Sequence, residues 1–168
     1  MTRKFLKARD LLATRLNASV LDPFPGTRNG KHFLNEADGI NLSRANTFPK
    51  GYILTNEDNP YKQVTAFSRA GFNERNAKLD IFYLVKDKIS YTDSDNVKYT
   101  GFDYVQFMKE EILQTLQDNS NLGEGYYIKS ILPISKVEEL VSDEFAFKLY
   151  QIIISVEIKW VNAYGTNI

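Results

Sequence analysis

The stretch Tyr150-Gln-Ile-Ile-Ile-Ser-Val-Glu-Ile-Lys-Trp160 decides how this chain folds, because a large apolar side chain occupies every second position. Successive side chains of a β-strand point to opposite faces, so the pattern predicts one long strand with a buried face and a wetter face. Burying the six side chains of the apolar face contributes on the order of 10 kcal/mol before chain entropy is subtracted. The apolar positions are Tyr150, Ile152, Ile154, Val156, Ile158 and Trp160.

The totals describe a chain with enough apolar residues for one core. Of the 168 residues 43% are hydrophobic, and the 21 basic residues balance the 21 acidic ones. We therefore predict a single domain over residues 1–168, without the net positive charge typical of nucleic-acid-binding proteins. The absence of cysteine excludes disulfides and thiolate metal sites. The sequence predicts neither a signal peptide nor a membrane-spanning helix, because it has no sufficiently long apolar run.

The first part of the chain is helical by its pattern and basic by its charge. Apolar residues recur with helical spacing over residues 3–20, and two prolines and a glycine follow at 23–26. Residues 1–31 carry seven basic and two acidic residues, a net charge of +5. A basic N-terminus of this kind docks on the acidic surface of a neighbouring copy, contacts DNA phosphate or is simply hydrated. The candidate basic docking surface comprises Arg3, Lys4, Lys7, Arg9 and Arg15.

The rest of the chain alternates strands with one strong helix. We predict a helix over 101–118, capped by Thr100 with Asp103 three residues on. Residues 136–140 are expected to form one helical turn, and the polar tail after Trp160 is expected to be loose. The predicted strands are 51–55, 78–85 with a continuation at 89–91, 126–132 and 150–160. The result is an α+β fold, in which the helix at 101–118 covers a mostly antiparallel sheet with its core at 78–161.

A long polar stretch interrupts the strands at residues 56–76. Excursions of this length, whether loop or hairpin, are usually functional or disordered, and this one carries aromatic residues. The basic residues interleaved with the aromatics are also typical of a base-stacking surface, although neighbouring acidic residues dilute the pattern. We favour a contact between subunits. The candidate interface residues are Tyr61, Lys62, Phe67, Arg69, Phe72 and Arg75.

The phosphate-binding and calcium-binding motifs that this sequence partly matches are incomplete. The stretch Gly26-Thr-Arg-Asn-Gly-Lys-His32 has too few residues between its glycines for a phosphate-binding loop, and His32 is expected to be a surface residue. Asn29-Gly30 predicts a tight turn, with a short hairpin around it that returns at Phe33 and Leu34. Asp93-x-Asp95 lacks the later ligands of a calcium loop and predicts a turn.

We therefore assign no catalytic residue, cofactor or metal, and we predict that the chain is not an enzyme. The adjacent pairs Glu110-Glu111 and Glu138-Glu139 are expected to be solvated. One alternative is a small nucleic-acid- or protein-binding module that uses the basic N-terminal segment and residues 61–75. The other alternative is a small α+β enzyme that acts through scattered carboxylates in a deep pocket.

The order of elements resembles the tail terminator and tail-completion proteins of tailed bacteriophages, and the related head–tail neck proteins. The likeness covers most of residues 3–161. It consists of the N-terminal helix, the short strand Phe48-Pro-Lys-Gly-Tyr-Ile-Leu54, the excursion, the apolar strand at 79–85, the helix containing Met108-Lys-Glu-Glu-Ile112, and two final strands that end at Trp160. It is a likeness of layout and hydrophobic spacing.

The resemblance implies a non-enzymatic structural protein of the virion neck or tail, made in the host cytoplasm. It implies a homo-oligomeric ring, usually of six subunits with twelve as the alternative, around a channel that passes DNA without sequence specificity. The implied partners are copies of the chain itself and portal, connector or tail-tube proteins, with no membrane involved. In such rings a long excursion reaches the next subunit or the tail tube, and the N-terminal helix often lies at an interface.

Overall fold

The computed structural model describes residues 4–20, 22, 32–35, 49–55, 61–67, 72–133, 137–141 and 147–163. These residues form two helices and a large mixed β-sheet, so the α+β class is confirmed. The elements are α1 (Lys4–Ser19), β1 (Phe33–Asn35), β2 (Lys50–Thr55), β3 (Tyr61–Phe67), β4 (Phe72–Lys86), β5 (Ser90–Thr92), β6 (Lys98–Thr100), α2 (Gly101–Asp118), β7 (Asn121–Gly123), β8 (Tyr126–Pro133), β9 (Glu138–Leu140) and β10 (Leu149–Ala163).

The sheet is built around two long antiparallel strands. β4 pairs with β10 along fifteen residues each, from Lys86 opposite Leu149 to Phe72 opposite Ala163. The strand order is β1-β2-β4-β10-β8-β7, with β3 beside the first half of β4 and β9 beside the start of β10. β1 and β2 are parallel, whereas every other pair among the described strands is antiparallel. β5 and β6 form a separate hairpin just before α2.

The alternation predicted for the strand at 150–160 is confirmed. The apolar side chains from Ile152 to Trp160 are buried, and the residues between them are only half-buried. Tyr150, at the start of the pattern, is also half-buried. β4 shows the same alternation, with Ala77, Leu79, Ile81, Tyr83 and Val85 facing the same core.

Both helices cover the same face of this sheet. The stripe of α2 predicted from the sequence is buried at Val105, Met108, Ile112 and Leu116, and α1 adds Ala8, Leu12 and Leu16 to the same cluster. The prediction of one covering helix is therefore incomplete. Thr100 does occupy the position before α2, but its side chain makes no capping hydrogen bond, contrary to the predicted cap.

The side chain of Asn17 joins α1 to the edge strand β1 through two backbone hydrogen bonds of the kind that a neighbouring strand would form. The Asn17 amide donates to the Phe33 carbonyl at 2.9 Å, and the Phe33 N–H donates to Asn17 Oδ1 at 2.6 Å. The Phe33 ring is buried and lies over Gly51 of β2, where any Cβ would overlap the ring. Glycine at position 51 is what allows β1 to approach β2 with this ring in the core.

His32 lies in the core, so its prediction as a surface residue is wrong. Its side chain is 1% exposed, and its Nε2 lies 2.7 Å from the hydroxyl of Tyr83. That hydroxyl lies 3.3 Å from the hydroxyl of Tyr104 on α2. A buried polar group is stable when it is hydrogen-bonded, and Tyr83, which comes from the distant strand β4, supplies that bond to the imidazole.

Three further predictions differ from the structure. Glu138–Leu140 is a strand paired with β10, not a helical turn, and β10 continues to Ala163 where a loose tail was expected. Residues 90–92 pair with β6 and do not extend β4. The turn predicted at Asn29-Gly30 lies outside the described residues. No described helix is long and apolar enough to cross a membrane.

Candidate assembly interface

One end of the sheet consists of three paired strand segments, which we call the β-arm. It consists of β3, residues 72–75 of β4 and residues 161–163 of β10. Trp160 is the last residue of β10 in the core cluster, and it is paired with Arg75. The three residues of β10 that follow Trp160 span about 10 Å as an extended strand.

The β-arm brings together most of the residues predicted as a subunit interface. Tyr61, Lys62 and Phe67 lie on β3, and Phe72 and Arg75 lie on the antiparallel first half of β4. Phe67 is directly opposite Phe72, and Tyr61 is opposite Ala77. Arg69 lies outside the described residues. The excursion is therefore a hairpin over its described part, and the role of these residues stays a prediction.

The sheet face opposite the two helices, which we call the open face, combines apolar and charged side chains. Its half-buried apolar members include Leu54 and Ile153, and Leu132 is 63% exposed. Leu132 is placed on this face by its register with Ser155, because the neighbouring Ile131 packs against the core on the other side. Part of this face is core, because Phe82 packs there against a second buried cluster, which consists of Leu34, Tyr52, Leu84 and Leu149.

A carboxylate lies at the centre of the polar part of the open face. Glu157 accepts hydrogen bonds from Asn76 Nδ2 at 2.5 Å and from Ser130 Oγ at 3.3 Å. The ammonium of Lys129 lies 3.5 Å from the same carboxylate. Asn76 is 1% exposed, and its Oδ1 has no hydrogen-bond partner. These contacts hold Glu157 in one position, so the wetter face of β10 is an ordered polar surface.

The predicted basic docking surface is divided by the fold. Arg9 is 7% exposed, and the guanidinium of Arg15 donates to the carbonyls of Asn119 at 3.1 Å and Asn121 at 2.6 Å. Both arginines therefore stabilise contacts within the chain. Arg3 lies outside the described residues. Among the described residues of that group, only Lys4 and Lys7 line an open cleft.

That cleft, which we call the basic cleft, lies at the start of α1 and has a volume of about 530 Å³. Lys7 forms a salt bridge of 3.0 Å with Glu124, which belongs to the turn between β7 and β8. The cleft also contains the buried rings of Tyr126 and Trp160, whose centroids are 5.5 Å apart. Burial, with a smaller effect of the Glu124 charge, raises the pKa of Tyr126. The Nε1 atom of Trp160 is buried without a hydrogen-bond partner.

A second cleft, which we call the acidic cleft, lies between the β5–β6 hairpin and the first turns of α2 and has a volume of about 380 Å³. Asp103 and Glu110 are two helical turns apart on the exposed side of α2. The stacked rings of Tyr99 and Phe107, with centroids 4.7 Å apart, form the wall. Val97, which is 47% exposed, adds an aliphatic rim.

The turn beside the acidic cleft is organised by Asp93, as predicted for Asp93-x-Asp95. Its Oδ1 accepts hydrogen bonds from the backbone N–H groups of Asp95 and Val97, both at 2.9 Å. Its Oδ2 accepts a hydrogen bond from the Tyr99 hydroxyl at 3.1 Å. The Asp93 carboxylate therefore stabilises the turn. In the part of the chain that the structure describes, no group of three or more His, Asp or Glu side chains is arranged to hold a metal ion.

We expect Asp93→Asn to lower the pKa of Tyr99. Desolvation raises that pKa above its ordinary value of about 10, and the hydrogen bond and charge of Asp93 raise it further. The raised pKa means that the folded state keeps a proton that the unfolded state loses. Any contribution of Tyr99 to stability is therefore lost as the pH rises through the raised pKa. Absorbance titration of tyrosinate, with Tyr99→Phe identifying the Tyr99 component, measures the change. An unchanged Tyr99 titration in the Asp93→Asn variant would contradict this assignment.

Comparison with protein-family models and with curated proteins assigns no role to this interface. No protein-family model matches the chain, and no curated protein matches it.

Proposed function

We propose that this chain is a non-enzymatic structural subunit of a phage-like particle, of the tail terminator or head–tail neck kind. In this proposal it assembles with copies of itself into a ring that joins tail to head around the DNA channel. Portal, connector or tail-tube proteins are its neighbours in the virion. The observation that carries the proposal is the β-arm, in which the β3–β4 hairpin and the end of β10 form one end of the sheet.

The β-arm supports assembly because, among the described strands, β3 pairs with β4 alone and so offers a backbone edge to another chain. A sheet is stabilised by burying its faces, and a strand pair on its own is marginally stable in water. Here the arm is anchored by the central β4–β10 pair, so its position is fixed by the core. An anchored extension of this kind is suited to reach a neighbouring subunit.

The open face supports the same proposal. Leu54, Ile153 and Leu132 carry apolar surface on this face whose remaining exposure would be removed by a neighbour. Removing apolar surface from water contributes roughly 25 cal/mol for each Å². The ordered contacts of Glu157 on the same face add polar groups that can give the contact its specificity.

The stoichiometry of the purified chain tests the proposal. Size-exclusion chromatography with light scattering is expected to show a concentration-dependent oligomer, and the protein is expected to bind purified tails or connectors. A chain that stays monomeric at high concentration and fails to join either particle would contradict the proposal. Retention on DNA that falls steeply with salt, without self-association, would instead favour the nucleic-acid-binding alternative.

The double substitution Tyr61→Ala and Phe72→Ala is expected to leave a folded chain that assembles poorly. Both residues belong to the hairpin of the β-arm. Circular dichroism is expected to show an unchanged fold, and light scattering a smaller oligomeric fraction. The matched control is Phe102→Ala with Val141→Ala, which removes two side chains that are 49% and 68% exposed elsewhere on the chain. Unfolding of the arm variant would contradict its role as an interface.

A further inference from the structure

On the open face, three neighbouring strands bring a lysine, a glutamate and an asparagine into contact. Glu157 belongs to β10, which lies between β4 and β8 in the sheet. Its Oε1 atom accepts a hydrogen bond from Nδ2 of Asn76 on β4 at 2.5 Å, and it lies 3.5 Å from Nζ of Lys129 on β8. The amide and the amine therefore contact the same carboxylate oxygen, although their strands are not paired with each other.

A β-bulge places Lys129 in this group. Glu157 is paired with Ser130 and the next residue, Ile158, with Ile128, so Lys129 is an extra residue of β8. In a regular strand two adjacent side chains point to opposite faces, whereas here both Lys129 and Ser130 contact the Glu157 carboxylate. Bulges are frequent next to active sites, where they redirect a side chain. The backbone of β8 therefore directs the lysine at the carboxylate.

The amide of Asn76 is buried without all the hydrogen bonds that a buried amide normally makes. Asn76 is 1% exposed, and its Oδ1 has no hydrogen-bond partner. A buried acceptor of this kind is costly, so a purely structural role does not account for asparagine at this position. Burial also keeps water away from the amide carbon, which favours attack by a neighbouring amine over hydrolysis.

We propose that Lys129 and Asn76 join through a side-chain amide, an isopeptide bond, with Glu157 as the catalytic residue. Glu157 takes a proton from the ammonium of Lys129, and the free Nζ attacks Cγ of Asn76. The Nζ–Cγ bond forms and the Cγ–Nδ2 bond breaks. In all, two protons pass from Nζ through the carboxylate to Nδ2, so ammonium leaves and Glu157 is again ionised. The step needs no further reactant.

The contacts around Glu157 suit this proton transfer. A general acid or base must lie within hydrogen-bond reach of the groups that it serves, and Oε1 contacts both nitrogens. The Lys129 side chain is 38% exposed, so its flexible end has room to move from Oε1 to the neighbouring amide carbon. By register Lys78 and Lys159 lie on the same face, but among the described residues only Lys129 forms an ion pair with Glu157.

The bond would join β4 to β8 across β10 and close the chain between residues 76 and 129 into a covalent loop. A cross-link of this kind restricts the unfolded chain, as a disulfide does, in a sequence that contains no cysteine. The reaction occurs once and changes only the chain itself. It is therefore compatible with a non-enzymatic structural subunit, and it does not depend on the proposed assembly.

Intact-mass spectrometry of the purified, folded full-length chain tests the proposal. After prolonged incubation the wild type is expected to be lighter than its sequence by the mass of one ammonia molecule. Tandem mass spectrometry of a protease digest is expected to show a branched peptide that joins the segments containing Asn76 and Lys129. Protein kept unfolded in urea is expected to retain its full mass, because there the three side chains are not held together.

Lys129→Arg and Glu157→Gln are each expected to retain the full mass, since the first removes the nucleophile and the second the proton acceptor. Circular dichroism checks each fold, and the partly exposed Lys129 keeps the test decisive where Glu157→Gln does not fold. The matched controls, Lys78→Arg and Lys159→Arg, are expected to lose ammonia as the wild type does. A folded wild type that keeps its full mass, or an equal loss of ammonia in Lys129→Arg, would overturn the isopeptide bond. Either result leaves the proposed assembly to its own measurement of self-association.

Discussion

Ile154→Asp is expected to unfold the domain. Ile154 is fully buried in the middle of β10, opposite Ile81 of β4. The substitution removes a large apolar side chain and places a carboxylate where no water can hydrate it, at a combined cost of about 5 kcal/mol or more. Domains are typically stable by about 5–15 kcal/mol, so most of the folded population is lost. Circular dichroism and a urea titration at 25 °C measure the effect.

Two controls separate burial from chemistry at this site. Ile154→Val keeps the apolar character and is expected to cost only about 0.5–1.5 kcal/mol. Ile153→Asp introduces the same carboxylate one residue away, on the open face, where it stays partly hydrated. We expect that variant to fold and to self-associate less than the wild type. A folded Ile154→Asp protein with a wild-type melting temperature would show that this face of β10 does not form the core.

Gly51→Ala is expected to destabilise the chain by about 3 kcal/mol, because the added methyl group overlaps the ring of Phe33. That ring cannot move aside easily, since it is buried and lies against His32 at 4.7 Å and Tyr83 at 5.8 Å between ring centroids. For a domain of this size the melting temperature is expected to fall by roughly 6–12 °C. Thermal unfolding followed by circular dichroism provides the measurement.

A double-mutant cycle with Phe33→Ala identifies the cause. Phe33→Ala alone is expected to cost about 3–5 kcal/mol, since it empties a buried site. In that background the methyl group at position 51 meets no ring, and Gly51→Ala is expected to be neutral or slightly stabilising. Equal costs of Gly51→Ala in the two backgrounds would place the strain elsewhere than at Phe33.

Periodicity predicted the elements whose pattern repeats over many residues. The apolar spacing predicted β10 and α2, because burying one face requires an apolar residue at every second position of a strand or at every third to fourth position of a helix. β9 is three residues long and contains two glutamates, so it has no period to detect. It is a strand because the edge of β10 offers it backbone hydrogen bonds.

The sequence predicted the candidate interface only where its residues lie close together along the chain. The hairpin of β3 and β4 joins neighbouring segments, so its aromatic and basic residues could be grouped from the sequence. The burial of His32, by contrast, depends on Tyr83, and the capture of Arg15 depends on carbonyls of Asn119 and Asn121. Partners that are distant in sequence are brought into contact only by the fold. A single sequence therefore does not distinguish a buried basic residue from one at the surface.

The central pairing of β4 with β10 also determines when this chain can fold. The two strands are joined through a long connection from Lys86 to Leu149, so their contact is strongly non-local and its closure is slow. During synthesis β4 emerges well before β10, and until β10 arrives one whole edge of β4 has no partner. An unpaired strand edge of this length is prone to aggregate. The nascent chain is therefore prone to aggregate until β10 is complete and has paired with β4.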